Sequence, residues 1–263
     1  MVQNNEWTWA KFEEMCNKIK SSMSGSLVAP AGYGQENLLM PMMVASNGAN
    51  VAERDASGKL KYTMMTDKAL AAANKVYEWR QSGLLAIGVK EDSTGIDLQG
   101  FIDGKCVFFF DFYGDLQKIT QRDKSLALDG NTYKFGLLPC PIGPDGDKCH
   151  GVTYSADRQR IVAGIDKPEE VAAVLVAIAN RTSKSAKYVY DVETENTLQD
   201  EGSIEMLKIM YEDMRVDQSR VFTGVGIKGA NQKVLKLEAT PAEAFGSISE
   251  ETQGIYDGTV TKW

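Results

Sequence analysis

The sequence predicts an α/β fold on two observations. Segments with apolar residues at helical spacing alternate along the chain with short, continuous apolar runs of strand character. No internal repeat or low-complexity tract interrupts them. A third observation, 43% hydrophobic and 25% charged residues in a 263-residue chain, supplies enough apolar surface for a substantial core. One large α/β unit and two lobes are both compatible with this length.

Phe12, Met15, Cys16 and Ile19 share one helical face, so a helix is expected after Thr8, its N-cap, running to about residue 23. A glycine-rich loop over 30–37 feeds an apolar helix over 38–46, whose leading turn directs free backbone N–H groups outward. Thr66 is expected to cap a helix that turns Leu70, Ala73 and Tyr77 inward and stops near Gly83. Residues 101–111 read as a turn followed by a strand covered on both faces, hence mid-sheet. Shorter strands are expected over 134–138 and 159–165. Asp166 is expected to cap the next helix, with Glu169 closing a capping box and Val171, Val174, Leu175 and Ile178 as its buried stripe. A helix over 203–214 is expected to bury Leu207, Met210, Tyr211 and Met214, and Thr240-Pro241-Ala242-Glu243 opens a last helix with cap, proline and capping-box acid together.

A net charge of −7 with scattered Lys and Arg disfavours a nucleic-acid surface. No stretch approaches the roughly 18 apolar residues of a membrane-crossing helix. Residues 1–6 carry neither a basic nor an apolar signal region, so any export signal is expected outside this sequence. Cys16 and Cys106 read as buried thiols. Cys140 and Cys149 bracket a proline- and glycine-rich turn, a spacing that leaves a hairpin disulfide and two free thiols both open. No CxxC motif occurs and His150 is the sole histidine, so neither a metal site nor a histidine base is expected, and no cofactor. Glu36 and Asp111 are the carboxylates a glycosidase would use; Gly32-Tyr33-Gly34 completes no phosphate loop.

Aromatic residues gather instead at the ends of elements: Trp7 and Trp9, Tyr33, Phe112-Tyr113 and Tyr154. Aromatic faces stack on sugar rings while neighbouring amides and carboxylates bond the hydroxyls. The expected ligand surface is therefore Tyr33, Gln35, Asn37, Asp111, Tyr113, Gly151 and Tyr154, with Asp111 equally readable as a helix cap. Trp79, Tyr77 and Tyr211 are assigned to packing.

Several stretches resemble the family 1 extracellular solute-binding proteins of ABC importers, a maltose-binding-protein-like group. They are Trp9-Ala10-Lys11-Phe12-Glu13-Glu14, Phe101-Ile102-Asp103-Gly104-Lys105-Cys106-Val107, and Tyr133-Lys134-Phe135-Gly136-Leu137-Leu138-Pro139 before Gly143-Pro144-Asp145-Gly146. Gly151-Val152-Thr153-Tyr154-Ser155, Lys167-Pro168-Glu169-Glu170-Val171-Ala172 and Ser203-Ile204-Glu205-Met206-Leu207 continue it in the same order. The resemblance implies a periplasmic-binding-protein-like (type II) lobe with helices around a mixed sheet, plus part of a second lobe. By it, residues 1–154 are the C-terminal-lobe-like ligand-binding region, 155–182 a crossing strand and helix belonging to the other lobe, and 183–263 a helical return onto the first. Members carry about one further domain's worth of chain before the first helix, so only part of that lobe is expected here. It further implies a non-enzymatic, extracytoplasmic monomer, lipid-anchored or periplasmic, that captures a sugar or oligosaccharide for the permease subunits of an ABC transporter. A carboxylate-dependent glycosidase fragment and a non-enzymatic interaction domain are the competing readings.

Overall fold

The computed structural model describes residues 1–89, 92–115, 135–149, 151–153, 161, 164–181, 198, 200–212, 214–216 and 226–260. Its first helix, α1 (Trp9–Ser21), begins as expected: the Thr8 hydroxyl accepts from the Lys11 N–H at 3.3 Å, and Trp9, Phe12 and Cys16 are buried. Strand β1 (Ala31–Tyr33) follows, and then α2 (Glu36–Ser46), an apolar helix at the centre of the main core. An antiparallel hairpin of β2 (Ala52–Arg54) and β3 (Leu60–Tyr62) leads to α3 (Asp67–Gln81).

The α3 helix stops where expected, with Gly83 in the left-handed region at φ 69°. Its buried stripe is Ala69, Ala72, Ala73, Val76 and Trp79, so Leu70 and Tyr77 are only half-buried; the face is rotated by about one position from the sequence expectation. The alanines allow this rotation, because they let the helix approach α2 closely and leave the larger side chains at the margin. Thr66 holds the N-cap position without capping, its hydroxyl donating instead to the Thr63 carbonyl at 2.8 Å. Trp79 is packing, as expected: its ring lies 4.8 Å from Phe12 and its Nε1–H donates to Glu13 Oε1 at 2.7 Å.

Residues 101–111 divide differently from the expectation. Asp97 accepts from the Gly100 N–H and caps a short helix, α4 (Leu98–Ile102), leaving β4 (Phe108–Phe110) as the strand. Strands β1 and β4 pair in parallel, Ala31 with Phe108 and Tyr33 with Phe110. Among the described residues β4 has one strand neighbour, and its three phenylalanines are half-buried rather than covered on both faces. Residues 135–138 form an extended segment without strand pairing, tied by the Leu137 N–H to Ser203 Oγ at 2.9 Å. Most of 159–165 lies outside the described residues.

Strand β5 (Gly151–Thr153) pairs in parallel with β6 (Met214–Val216), flanking α6 (Glu201–Glu212) in space; between them in sequence a helix, α5, spans 168–181. In α6 the carboxylate of Asp200 accepts from the Ser203 N–H at 2.7 Å, and Leu207 is buried. Tyr211 is 47% exposed and Met214 is exposed as well, against the expectation that both are buried: the cluster around α6 is small and covers only Leu207 fully. In α5 the residue before the helix is Lys167 rather than Asp166, and Lys167 pairs with Glu170 at 2.8 Å. The expected buried stripe is only half covered: Val171 and Leu175 are half-buried, while Val174 is 58% exposed and Ile178 48%.

The C-terminal helices α7 (Ile227–Leu235), α8 (Pro241–Gly246) and α9 (Ser249–Val260) return onto the first half. Here α7 lies on α2 and α3, α8 on α3, and α9 against β3. The capping box of α8 forms as the sequence predicts, the Thr240 N–H donating to Glu243 Oε2 at 2.9 Å and the Glu243 N–H to Thr240 Oγ1 at 3.4 Å. Gln253 of α9 takes the place of a neighbouring strand for β3: it accepts from the Tyr62 N–H at 3.0 Å and donates to the Leu60 carbonyl at 3.1 Å. Arg80 Nε donates to the Leu235 carbonyl at 2.8 Å, closing the end of α7.

Candidate functional site

Parallel strands that end together leave a crevice at their carboxyl ends, and such crevices are where α/β proteins place ligands. Strands β1 and β4 end on the paired residues Tyr33 and Phe110, and the Gly34 N–H continues the ladder to the Phe110 carbonyl at 2.9 Å. The residue after β4 is Asp111, whose Oδ1 accepts from the Phe112 N–H at 2.9 Å. Its carboxylate lies so close over Gly34 that a Cβ there would fall 2.3 Å from Asp111 Oδ2. The glycine is required by this approach, not by its dihedral angles.

Helix α2 starts two residues after Gly34, bringing the free N–H groups of its first turn to the same edge. Gln35 occupies the N-cap position and is half-buried. Glu36 is 1% exposed; its Oε1 lies 3.6 Å from Lys228 Nζ on α7, and its Oε2 is buried without a hydrogen-bond partner. Three polar side chains, Gln35, Glu36 and Asp111, thus sit at the convergence of β1, β4 and α2, with α7 joining through Lys228.

Beside Asp111 opens a cavity of about 440 Å³. It separates two hydrophobic clusters: the main core contributes Phe108 and Phe110, and the cluster around α6 contributes Phe135, Leu137, Leu207 and Met210. Asp111, Tyr113 and Asp115 line it as well, and Tyr113 meets Tyr211 edge to face with ring centroids 6.4 Å apart.

The structure brings together part of the expected ligand surface. Asp111 and Tyr113 line the cavity, Gln35 lies at the crevice, and Gly151 begins β5, whose next residue Val152 is also in the lining. Tyr33 is 1% exposed, so its ring packs in the main core and presents no stacking face. Asn37 is in the first turn of α2, its side chain outside the described residues, as are Tyr154 and His150 altogether. Trp7 and Trp9 are buried, their indole N–H groups donating to the Pro139 carbonyl at 2.9 Å and Ser46 Oγ at 3.1 Å.

Cys140 and Cys149 are buried free thiols rather than a disulfide. The segment between them crosses α1 and α2, with the Ile142 N–H bonded to the Trp7 carbonyl and the Gly143 N–H to the Ser46 carbonyl, and it leaves Cys140 Sγ against Met43 Sδ at 3.8 Å. Burial pushes the Cys140 thiol up to about 12 and the Cys149 thiol up to about 11, so both are poor nucleophiles. Sequence reasoning missed the α6 wall of the cavity, because an apolar helical stripe such as Leu207 and Met210 reads as core. It also missed the buried Glu36 pair, for which the adjacent Gly34-Gln35 turn was the available signal. Among the described residues no group of acids, cysteines and histidines could hold a metal, and no helix is long and apolar enough to cross a membrane.

No family model and no curated protein matches the chain. Solved structures do. The sugar-binding protein MalE from Xanthomonas citri is 12% identical with a TM-score of 0.68, the similarity covering 98% of this chain and 67% of that one. A sugar transporter protein from Arthrobacter chlorophenolicus, solved with bound laminaribiose, is 15% identical with a TM-score of 0.56 over 97% of this chain and 64% of that one. UgpB from Mycobacterium tuberculosis, in complex with glycerophosphocholine, is 17% identical with a TM-score of 0.61 over 96% and 63%. The chain spans about two thirds of the length of these proteins. The chain shares the fold of these MalE-like proteins over about two thirds of their length.

Proposed function

We propose that this chain captures a carbohydrate-like solute, without transforming it, as the larger part of an extracytoplasmic binding protein serving an ABC importer. The observation that carries this reading is the crevice at the carboxyl ends of β1 and β4. There Asp111 and Asp115 supply hydrogen-bonding carboxylates beside Tyr113, with half-buried Gln35 at the adjoining start of α2, in a fold shared with proteins solved with laminaribiose and glycerophosphocholine. Residues 1–154 form the ligand-binding region in this reading, 155–182 cross toward a second lobe, and 183–263 return. The packing of α7, α8 and α9 on α2, α3 and β3 supports the last assignment. The importer's permease subunits are the partners, and the protein acts as a monomer held outside the cytoplasm, periplasmic or lipid-anchored.

Calorimetric titration with a panel of mono- and oligosaccharides tests the proposal. At least one should bind, without release of reducing ends, and Asp111→Asn or Tyr113→Ala should each weaken it about tenfold, the scale of one charge-assisted hydrogen bond for the first and of one lost aromatic contact for the second. Hydrolysis of the bound saccharide, or binding unchanged when both residues are replaced, would overturn it.

A further inference from the structure

The lining of the 440 Å³ cavity does not match a bare sugar. Phe108, Phe110, Phe135, Leu137, Leu207 and Met210 offer no side-chain hydrogen-bonding group; among the described residues the carboxylates and phenols of the lining lie at the edge that carries Asp111, Tyr113, Asp115 and Tyr211, and the Trp7 indole N–H is already bonded to the Pro139 carbonyl. A pyranose pushed fully inside would leave most of its hydroxyls facing hydrocarbon, and buried polar groups without partners are strongly disfavoured. A flat apolar group has the opposite balance. It fills the space between the two hydrophobic clusters, offers ring faces to the phenylalanines and leaves no polar atom unpaired. The volume falls in the range of small-molecule sites, with room for an aromatic ring or a short alkyl chain.

We infer that the solute is a glycoside with an apolar aglycone, aryl or short alkyl. Its sugar rests at the Gln35–Asp111 edge and its aglycone enters the cavity between β4 and α6. The inference rests on the sugar-binding reading above, and it names the class of sugar derivative that the site selects. The two parts of such a ligand match the two parts of the site: hydroxyl donors meet the carboxylates of Asp111 and Asp115, while the aglycone meets Phe110 and Met210.

Calorimetry with pairs of ligands tests this, each pair being the p-nitrophenyl and methyl glycosides of one sugar, taken through glucose, galactose, mannose and xylose. For at least one sugar the p-nitrophenyl form should bind at least tenfold more tightly. Met210→Gln, on the half-buried α6 wall, should remove most of that advantage, narrowing the ratio of the two affinities within the pair. Leu137→Ser provides the same test from the opposite wall should the first variant fail to fold. Equal affinity within every pair overturns the inference and leaves the sugar-binding reading standing. If free p-nitrophenol binds as tightly as its glycosides, the cavity takes apolar groups but the sugar-binding reading falls, and the inference with it. A preference that persists in both variants places the aglycone elsewhere and overturns the inference.

Discussion

Helices α3 (Asp67–Gln81) and α5 (168–181) are written in the same code, apolar residues at spacings of three and four, and meet opposite environments. In α3, Ala72, Ala73 and Val76 are fully buried against α2 and the returning C-terminal helices. In α5, Val174 and Val176 face solvent. The periodicity specifies that a helix has an apolar face; it does not specify which element covers it. Coverage is a long-range property, set here by the return of α7 and α8 onto α3 from more than a hundred residues downstream.

The comparison can be broken by substitution. Trp79→Ala removes the α3 ring that packs on Phe12 and Trp9 and its hydrogen bond to Glu13, which keeps its ion pair with Lys75. The expected loss is about 3–5 kcal/mol, read as a fall in the urea midpoint. Val174→Ala in α5 should change stability by less than about 0.5 kcal/mol in the same experiment. Comparable losses at the two positions would show that α5 is packed in solution as α3 is.

Gly34→Ala sharpens the contrast between core and site. Its Cβ would meet the Asp111 carboxylate at 2.3 Å, so the end of β1 must shift or Asp111 must turn away. The expected cost is about 1–3 kcal/mol, the range for overpacking, together with a loss of saccharide affinity at least as large as that of Asp111→Asn. An Ala variant with wild-type affinity would detach Asp111 from the ligand.

At the small end, Thr240→Ala should cost about 1 kcal/mol, because it removes the hydroxyl that accepts from the Glu243 N–H at the start of α8. A null effect would mean that α8 is held by the burial of Pro241, Ala244 and Phe245 alone.

What the sequence disclosed divides along the same line. The Thr8 and Thr240 caps and the stop at Gly83 were legible because each depends on residues within one turn. The Gly34-Gln35 edge and Asp111 were legible because each ends or opens an element. Tyr33 was misread because its burial depends on what packs over β1, including β4, which pairs with it through Phe110, 77 residues downstream, and nothing local to Tyr33 reports that packing. The α6 wall was hidden for a related reason: Met210 carries the same apolar signal whether it lines a core or a cavity. The short helix α4 is not legible in the expectation for 101–111, a turn followed by a strand, because its Asp97 cap lies upstream of that segment.

The central claim is that ligand enters between β4 and α6, at the carboxyl ends of β1 and β4. Methionine methyl NMR tests it most directly, because Met42, Met210 and Met214 line the cavity whereas Met43 and Met64 are buried in the main core. Titration with whichever saccharide or glycoside binds in calorimetry should shift the first three signals and leave the last two in place. Saturable binding that leaves Met42, Met210 and Met214 unmoved would contradict the account.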